Sequence, residues 1–142
     1  MSRNAPSSKV RELALRLLAD EVARNHELEP VFSPLALVVE KLRRPLITLI
    51  GIAGFCSLLA RALTLARAQA PKLSTVQVEP DGSLTGFADL GNQSQVAEAG
   101  VMLIAELLGL LVTFIGESLM LTLVRDAWPD LPIFDDRTLE KK

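Results

Sequence analysis

Two long apolar blocks stand out in the pattern of hydrophobic and polar positions. The first covers 46–66, LITLIGIAGFCSLLARALTLA, and the second covers 100–124, GVMLIAELLGLLVTFIGESLMLTLV. At 1.5 Å per residue, the first block forms a helix about 31 Å long, which matches the roughly 30 Å hydrocarbon core of a bilayer. The second block is long enough to cross with some tilt. The pattern predicts two transmembrane helices.

The alternative is a pair of helices buried inside a soluble domain. A helix that is apolar on all sides occurs in a membrane or in the core of a large protein. A chain of 142 residues offers little room to bury two of them. We therefore predict an all-α membrane protein, folded as a two-span transmembrane helical hairpin.

Three further segments complete the predicted organisation. Residues 1–45 form a cytoplasmic amphipathic helical region, 67–99 an extracytoplasmic loop and 125–142 a cytoplasmic tail. In the loop, alternating apolar positions flank the turn signal Pro80-Asp81-Gly82, which favours a small β-hairpin. A lone hairpin of this size is only marginally stable in water.

The first segment carries two helical patterns. A helix capped by Ser7 or Ser8 and running to about Leu28 has apolar residues at helical spacing on one face. A short second helix follows Pro34. Pro45 then marks the membrane entry, since proline does not continue a preceding helix. We expect both helices to fold back at the membrane surface.

The distribution of lysine and arginine sets the predicted orientation. Eight of these residues precede the first span, two lie between the spans and four follow the second span. Cytoplasmic segments near membrane spans carry the excess of positive charge. Both termini are therefore predicted to be cytoplasmic, in the inner or cytoplasmic membrane, with Trp128 at the inner headgroup level.

Charges inside the predicted spans are the main candidates for function, since a charge at membrane depth is unfavourable and usually faces protein or water. Arg61 lies about 7.5 Å and Glu106 about 9 Å from the outer ends of their spans. Because the spans run antiparallel, their matched depths predict an ion pair between these two side chains. Against this stands an Arg61 that extends alone toward the headgroups.

The second span carries another carboxyl group, Glu117, eleven residues after Glu106. At 100° per residue the two glutamates share one face, together with Thr113. On the first span, Ser57 and Arg61 share a stripe that we expect to meet this face. Glu117 is open to three interpretations: it is protonated, it is hydrogen-bonded to a serine, or it faces a partner subunit.

Composition excludes several classes of function. The net charge of −2 argues against nucleic-acid binding, which requires a basic surface. A single histidine and a single cysteine, far apart in the chain, predict no metal site, and we expect no cofactor. The sequence shows no catalytic motif, and we predict that the protein is not an enzyme.

The remaining classes are two. The first is a structural or accessory subunit that docks on a larger membrane protein or forms a homo-oligomer in the lipid bilayer. The alternative is an oligomeric pore or channel lined by the intramembrane carboxylates. Such a pore resembles a phage holin in its small size, few spans and charged tails.

Overall fold

The computed structural model describes residues 8–24, 34–86 and 93–129, and these are mostly helical. Two stretches, Leu37–Gln69 and Glu98–Ile115, are long and apolar enough to cross a membrane. In chain order the elements are α1 (Ser8–Arg24), α2 (Pro34–Gln69), a 3₁₀ helix (Pro71–Thr75), β1 (Gln77–Val78), β2 (Leu84–Thr85), α3 (Gln93–Ile115) and α4 (Glu117–Ala127). Most of the predicted cytoplasmic tail 125–142 lies outside the described residues, which end at 129.

Single glycines interrupt both predicted spans. Gly51 has φ 84° and ψ 162°, and Gly116 has φ 91° and ψ 154°. This backbone region is open essentially only to glycine. No described atom lies within 4 Å of a Cβ placed at either position, so the backbone and not the available space selects glycine there. The prediction of continuous helices over 46–66 and 100–124 was wrong for this reason.

At Gly51 the helix α2 folds back on itself. In a straight helix Leu35 and Gln69 would stand about 51 Å apart. Instead both lie against the first part of α3: a Cβ at Gly100 would be 3.7 Å from the Leu35 Cβ, and the Gln69 amide donates a hydrogen bond to Glu106. The halves 34–50 and 52–69 therefore run alongside each other.

This reversal provides the layers that bury α3. All six residues from 103 to 108 are buried, so the centre of this helix is covered on every side. Its neighbours are α1, α2 and α4. The expectation that so short a chain cannot bury an all-apolar helix fails for α3, because α2 contributes two packing helices instead of one.

Helix α1 presents the predicted apolar face to this core. Its buried hydrophobic residues are Leu13, Ala14, Leu17 and Leu18. A fifth buried residue on the same face is Glu21. Helical order ends at Arg24 within the described residues, and the predicted extension to Leu28 lies outside them.

Pro45 lies inside α2 instead of ending a helix at the membrane entry. The predicted short helix after Pro34 therefore continues through it. Proline in a helix interior removes one backbone hydrogen bond and usually bends the helix. Buried residues on both sides, Leu42 and Leu46, keep this segment packed. Tertiary packing thus outweighs the local preference that motivated the predicted boundary.

The predicted β-hairpin is confirmed. Strands β1 and β2 pair antiparallel, with Gln77 opposite Thr85 and Val78 opposite Leu84. The turn between them is closed by Ser83, whose backbone N–H and hydroxyl donate to Asp81 Oδ1 at 3.0 and 2.6 Å. Arg43 Nε donates to the Asp81 carbonyl at 2.8 Å. A residue predicted inside the cell thus contacts one predicted outside.

We expect replacement of Ser83 with alanine to raise the pKa of Asp81 toward its ordinary value of 3.8. The hydrogen bonds from Ser83 are the main cause that holds this pKa below 3.8, and Arg43 adds a smaller effect in the same direction. Because the folded-state pKa is depressed, the turn is stabilised above about pH 3.8 and loses that contribution as pH falls. NMR titration of both proteins measures the shift, and an unchanged pKa contradicts the assignment.

The variant Gly51→Ala tests the reversal of α2. An alanine at position 51 makes the positive-φ backbone conformation less favourable by about 2 kcal/mol, and it favours a continuous helix instead. Spin labels at Glu40→Cys and Ala68→Cys, in a Cys56→Ser background, should shift toward the separation of about 42 Å that a straight helix gives. Gly54→Ala is the matched control, since it adds the same methyl group at a helical position. Equal distances in both variants would count against a glycine-dependent reversal.

Candidate functional site

Exposed hydrophobic side chains gather at one end of the helical bundle. Of the six large ones exposed among the described residues, five lie within three positions of Gly51 or Gly116. They are Leu49, Ile50, Ile52, Phe114 and Leu119, and we call them the apolar end. Phe114 is 65% exposed, which is unusual for a side chain that water disfavours. None of these five side chains belongs to the buried core of the bundle.

A groove of about 430 Å³ opens beside the apolar end, between the second half of α2 and α3. Its apolar walls are Ile50, Gly54, Leu58, Leu111, Phe114 and Ile115, and its polar members are Ser57 and Arg61. Because Ile50 and Ile115 line the same cavity, the chain breaks beside them lie at the same level. We refer to this cavity as the Arg61 groove.

The predicted ion pair between Arg61 and Glu106 is absent among the described residues. Glu106 is buried, and its carboxylate accepts a hydrogen bond from Gln69 Nε2 at 2.8 Å. Arg61 is exposed and lines the groove. The predicted depth of Arg61 assumes that the first span ends at residue 66, but α2 continues to Gln69. This residue is eight positions past Arg61, about 12 Å along the helix, and it occupies the place opposite Glu106.

Glu117 pairs with Lys9 of α1, Nζ to Oε2, at 3.3 Å. Both side chains are more than half exposed, and Glu117 lies in the first turn of α4. The shared face predicted for Glu106 and Glu117 was wrong, because Gly116 breaks the helix between them. None of the three interpretations of Glu117 had included a cation from the N-terminal helix.

The two remaining polar candidates are Ser57 on α2 and Thr113 on α3. Ser57 is exposed and shares the groove with Arg61, as the stripe on the first span predicted. Thr113 is exposed, and its hydroxyl donates to the Gly109 carbonyl of its own helix at 3.2 Å. Since Glu106 is buried and Thr113 is exposed, the predicted polar stripe on the second span is not one surface.

A buried polar cluster that the sequence analysis missed joins α1, α2 and the end of α4. Glu21 Oε2 lies 2.6 Å from Lys41 Nζ and accepts a hydrogen bond from Trp128 Nε1 at 3.0 Å. Trp128 is buried within the protein, so its ring packs against other side chains; its predicted level in the membrane stays a prediction. The signal was present in the sequence: Glu21 is three positions after Leu18 and four after Leu17, where the apolar stripe should continue.

A double-mutant cycle separates the two proposed partners of Glu106. We expect Gln69→Leu and Glu106→Leu to couple by about 1.5 kcal/mol in the free energy of unfolding, since a hydrogen bond to a buried charge is lost in either single variant. Arg61→Leu and Glu106→Leu should show coupling near zero. The cycle is measured by chemical unfolding followed by circular dichroism. Equal coupling in the two cycles would restore the ion pair as the better description.

The described residues contain no group of three or more histidine, cysteine, aspartate or glutamate side chains that could hold a metal ion. Their most distinctive chemical feature is an exposed apolar end next to a groove with one guanidinium group. Such a surface can bind apolar chains and anions. Comparison of the chain with protein-family models, with curated proteins and with solved structures gave no significant match.

Proposed function

We propose that this chain is a small, non-enzymatic membrane protein that has a structural or accessory role and enters the bilayer through its apolar end. The exposed hydrophobic cluster around Gly51 and Gly116 carries the proposal. Contiguous apolar surface of this kind marks a contact with a membrane or a protein. The presence of two helices apolar enough to span a membrane supports the lipid as the contact.

Charge spacing along the helices sets the depth of insertion. Ten residues separate Gly51 from Arg61, and ten separate Glu106 from Gly116. At 1.5 Å per residue each distance is about 15 Å, which is half of the roughly 30 Å hydrocarbon core. The apolar end therefore reaches the middle of the bilayer while Arg61 and Glu106 stay at the boundary of one leaflet. The exposed Lys9–Glu117 pair lies at the apolar end itself, since Glu117 directly follows Gly116, so these two opposite charges enter the lipid together as a pair.

The two-span crossing predicted from the sequence is the alternative topology. It places 67–99 across the membrane from the termini, so the hydrogen bond from Arg43 to Asp81 and the contact of Leu35 with Gly100 would have to break. In the closed bundle, no segment crosses to the far side of the membrane, and the Lys9–Glu117 pair enters the lipid with the apolar end. The lysine and arginine distribution supports the cytoplasmic side of the cell membrane for both termini in either topology.

Single cysteines decide between these topologies. In a Cys56→Ser background, Glu12→Cys reports on α1 and Gln77→Cys on the hairpin, and both positions are exposed. A membrane-impermeant maleimide applied to sealed vesicles should label both from the same face. Labelling from opposite faces would support the two-span hairpin instead. If alkaline carbonate releases the protein from membranes, the placement in the lipid is wrong.

The accessory role predicts that the protein associates with a second copy or with a larger membrane protein. Size measurement after purification in mild detergent tests this, since a lone monomer contradicts it. A pore lined by Glu106 receives no support from the geometry, because that carboxylate is buried against Gln69. Leakage of dye from vesicles carrying the purified chain would reverse this preference.

A further inference from the structure

The Arg61 groove combines apolar walls with a cationic rim. Its volume of about 430 Å³ lies within the range of about 300–1,000 Å³ that is usual for small-molecule sites. Gly54, Ser57 and Arg61 follow one another at spacings of three and four residues, so they lie on one face of α2. The two small side chains leave room for a ligand, and the arginine closes one end of the row.

Arg61 is the charged group in this groove, and it has no anionic partner among the described residues. Two acidic residues of α3 and α4 have other partners: Glu106 accepts a hydrogen bond from Gln69, and Glu117 pairs with Lys9. A guanidinium group binds phosphate and carboxylate oxygens with two parallel hydrogen bonds. Charge complementarity therefore calls for an anion at Arg61 that is joined to an apolar chain in the groove.

Depth identifies the source of this anion. Arg61 lies about 15 Å along α2 from the apolar end at Gly51, which is the thickness of one leaflet of hydrocarbon. With the apolar end at the middle of the bilayer, the guanidinium stands at the level of the lipid phosphates. The groove then runs from the phosphate level toward the bilayer centre, in the direction that acyl chains take.

We propose that the Arg61 groove holds one acyl chain of an anionic phospholipid, with the lipid phosphate bound to Arg61. The proposal rests on the placement of the apolar end in a membrane. Lipid bound in this way covers Phe114 and Ile115 on the open side of the groove. It also gives Arg61 the counter-charge that the described residues do not provide.

The test uses the purified full-length chain in vesicles of phosphatidylcholine alone or of phosphatidylcholine and phosphatidylglycerol in equal parts. After mild-detergent extraction, native mass spectrometry measures the lipid that stays bound. We expect phosphatidylglycerol to be retained, and Arg61→Leu to reduce retention about tenfold, because a charge-assisted hydrogen bond is lost. Arg61→Lys should keep most of it. Ser57→Phe, which fills the groove, should abolish retention with the charge intact.

Arg16→Gln is the matched control, since it removes one exposed arginine from α1. Retention should be unchanged in this variant. Equal retention by wild type and Arg61→Leu overturns the lipid site while leaving the membrane placement intact, provided that the chain is still recovered with the vesicles. Preferential retention of added palmitate over phosphatidylglycerol also overturns the proposal, because the ligand would then be a free fatty acid. A chain that binds neither kind of vesicle overturns both the site and the proposed function.

Discussion

Replacing both Ile52 and Phe114 with glutamine should move the protein from the membrane pellet to the soluble fraction. Both side chains belong to the apolar end, with 41% and 65% of their surface exposed. Full burial of such a side chain in lipid contributes about 1.5–3 kcal/mol, and only the exposed fraction is still available. For the pair we expect a loss of about 3 kcal/mol, or roughly a hundredfold in membrane partitioning.

The matched control for this variant is Leu15→Gln. Leu15 is 54% exposed on α1, outside the apolar end, so the substitution removes exposed apolar surface comparable with that of one of the two side chains. Its partitioning should stay close to that of the wild type. Both variants should keep their helical circular dichroism, because neither substitution reaches the core. Equal release of the two variants from membranes would mean that the apolar end has no special role.

Lys41→Met should lower the free energy of unfolding by about 3 kcal/mol. Lys41 is the cation bound to the buried carboxylate of Glu21, at 2.6 Å. Its loss removes the cation that lies closest to this carboxylate among the described residues, next to Trp128. We place the effect at the lower end of the range for broken buried ion pairs, because Lys41 is itself 37% exposed. Chemical unfolding followed by tryptophan fluorescence measures it, since Trp128 is the sole tryptophan of the chain.

Glu40→Gln provides the comparison on the same helix. Glu40 pairs with Arg43 at 3.1 Å, but half of its side chain is exposed. Exposed pairs of this kind contribute about 0–1 kcal/mol. If Lys41→Met is as mild as Glu40→Gln, the Glu21 cluster does not hold the helices together. Glu21→Leu, which removes the charge itself, should be less destabilising than Lys41→Met.

Local patterns predicted the elements that depend on neighbouring residues. The stripe from Leu13 to Leu18 gave the buried face of α1, and Pro80-Asp81-Gly82 gave the turn of the hairpin. The breaks at Gly51 and Gly116 could not be found in this way. Glycine occurs inside continuous helices too, as Gly54 and Gly109 do here. Only the packing of distant segments decides which glycine leaves the helix.

Of the predicted polar candidates, Ser57 and Arg61 line the groove, while the contacts made by Glu106 and Glu117 were not predicted. Arg61 and Glu106 were identified because charges within apolar blocks are unfavourable unless they bind something. Their partners depend on the register between two helices. Because α2 continues to Gln69, the residue opposite Glu106 lies eight positions after Arg61. Glu117 was assigned to the interior of a span because a break at Gly116 leaves no trace in the hydrophobic pattern.

The contact between Glu21 and Trp128 joins residues 107 positions apart. During synthesis, the first helix therefore leaves the ribosome before Lys41 and Trp128, the two groups that bind the Glu21 carboxylate on its apolar face. The tryptophan is synthesised 107 positions later. Contacts of such long sequence separation slow folding because a large loop must close first. The contact between α1 and Trp128 therefore cannot form until synthesis has passed residue 128.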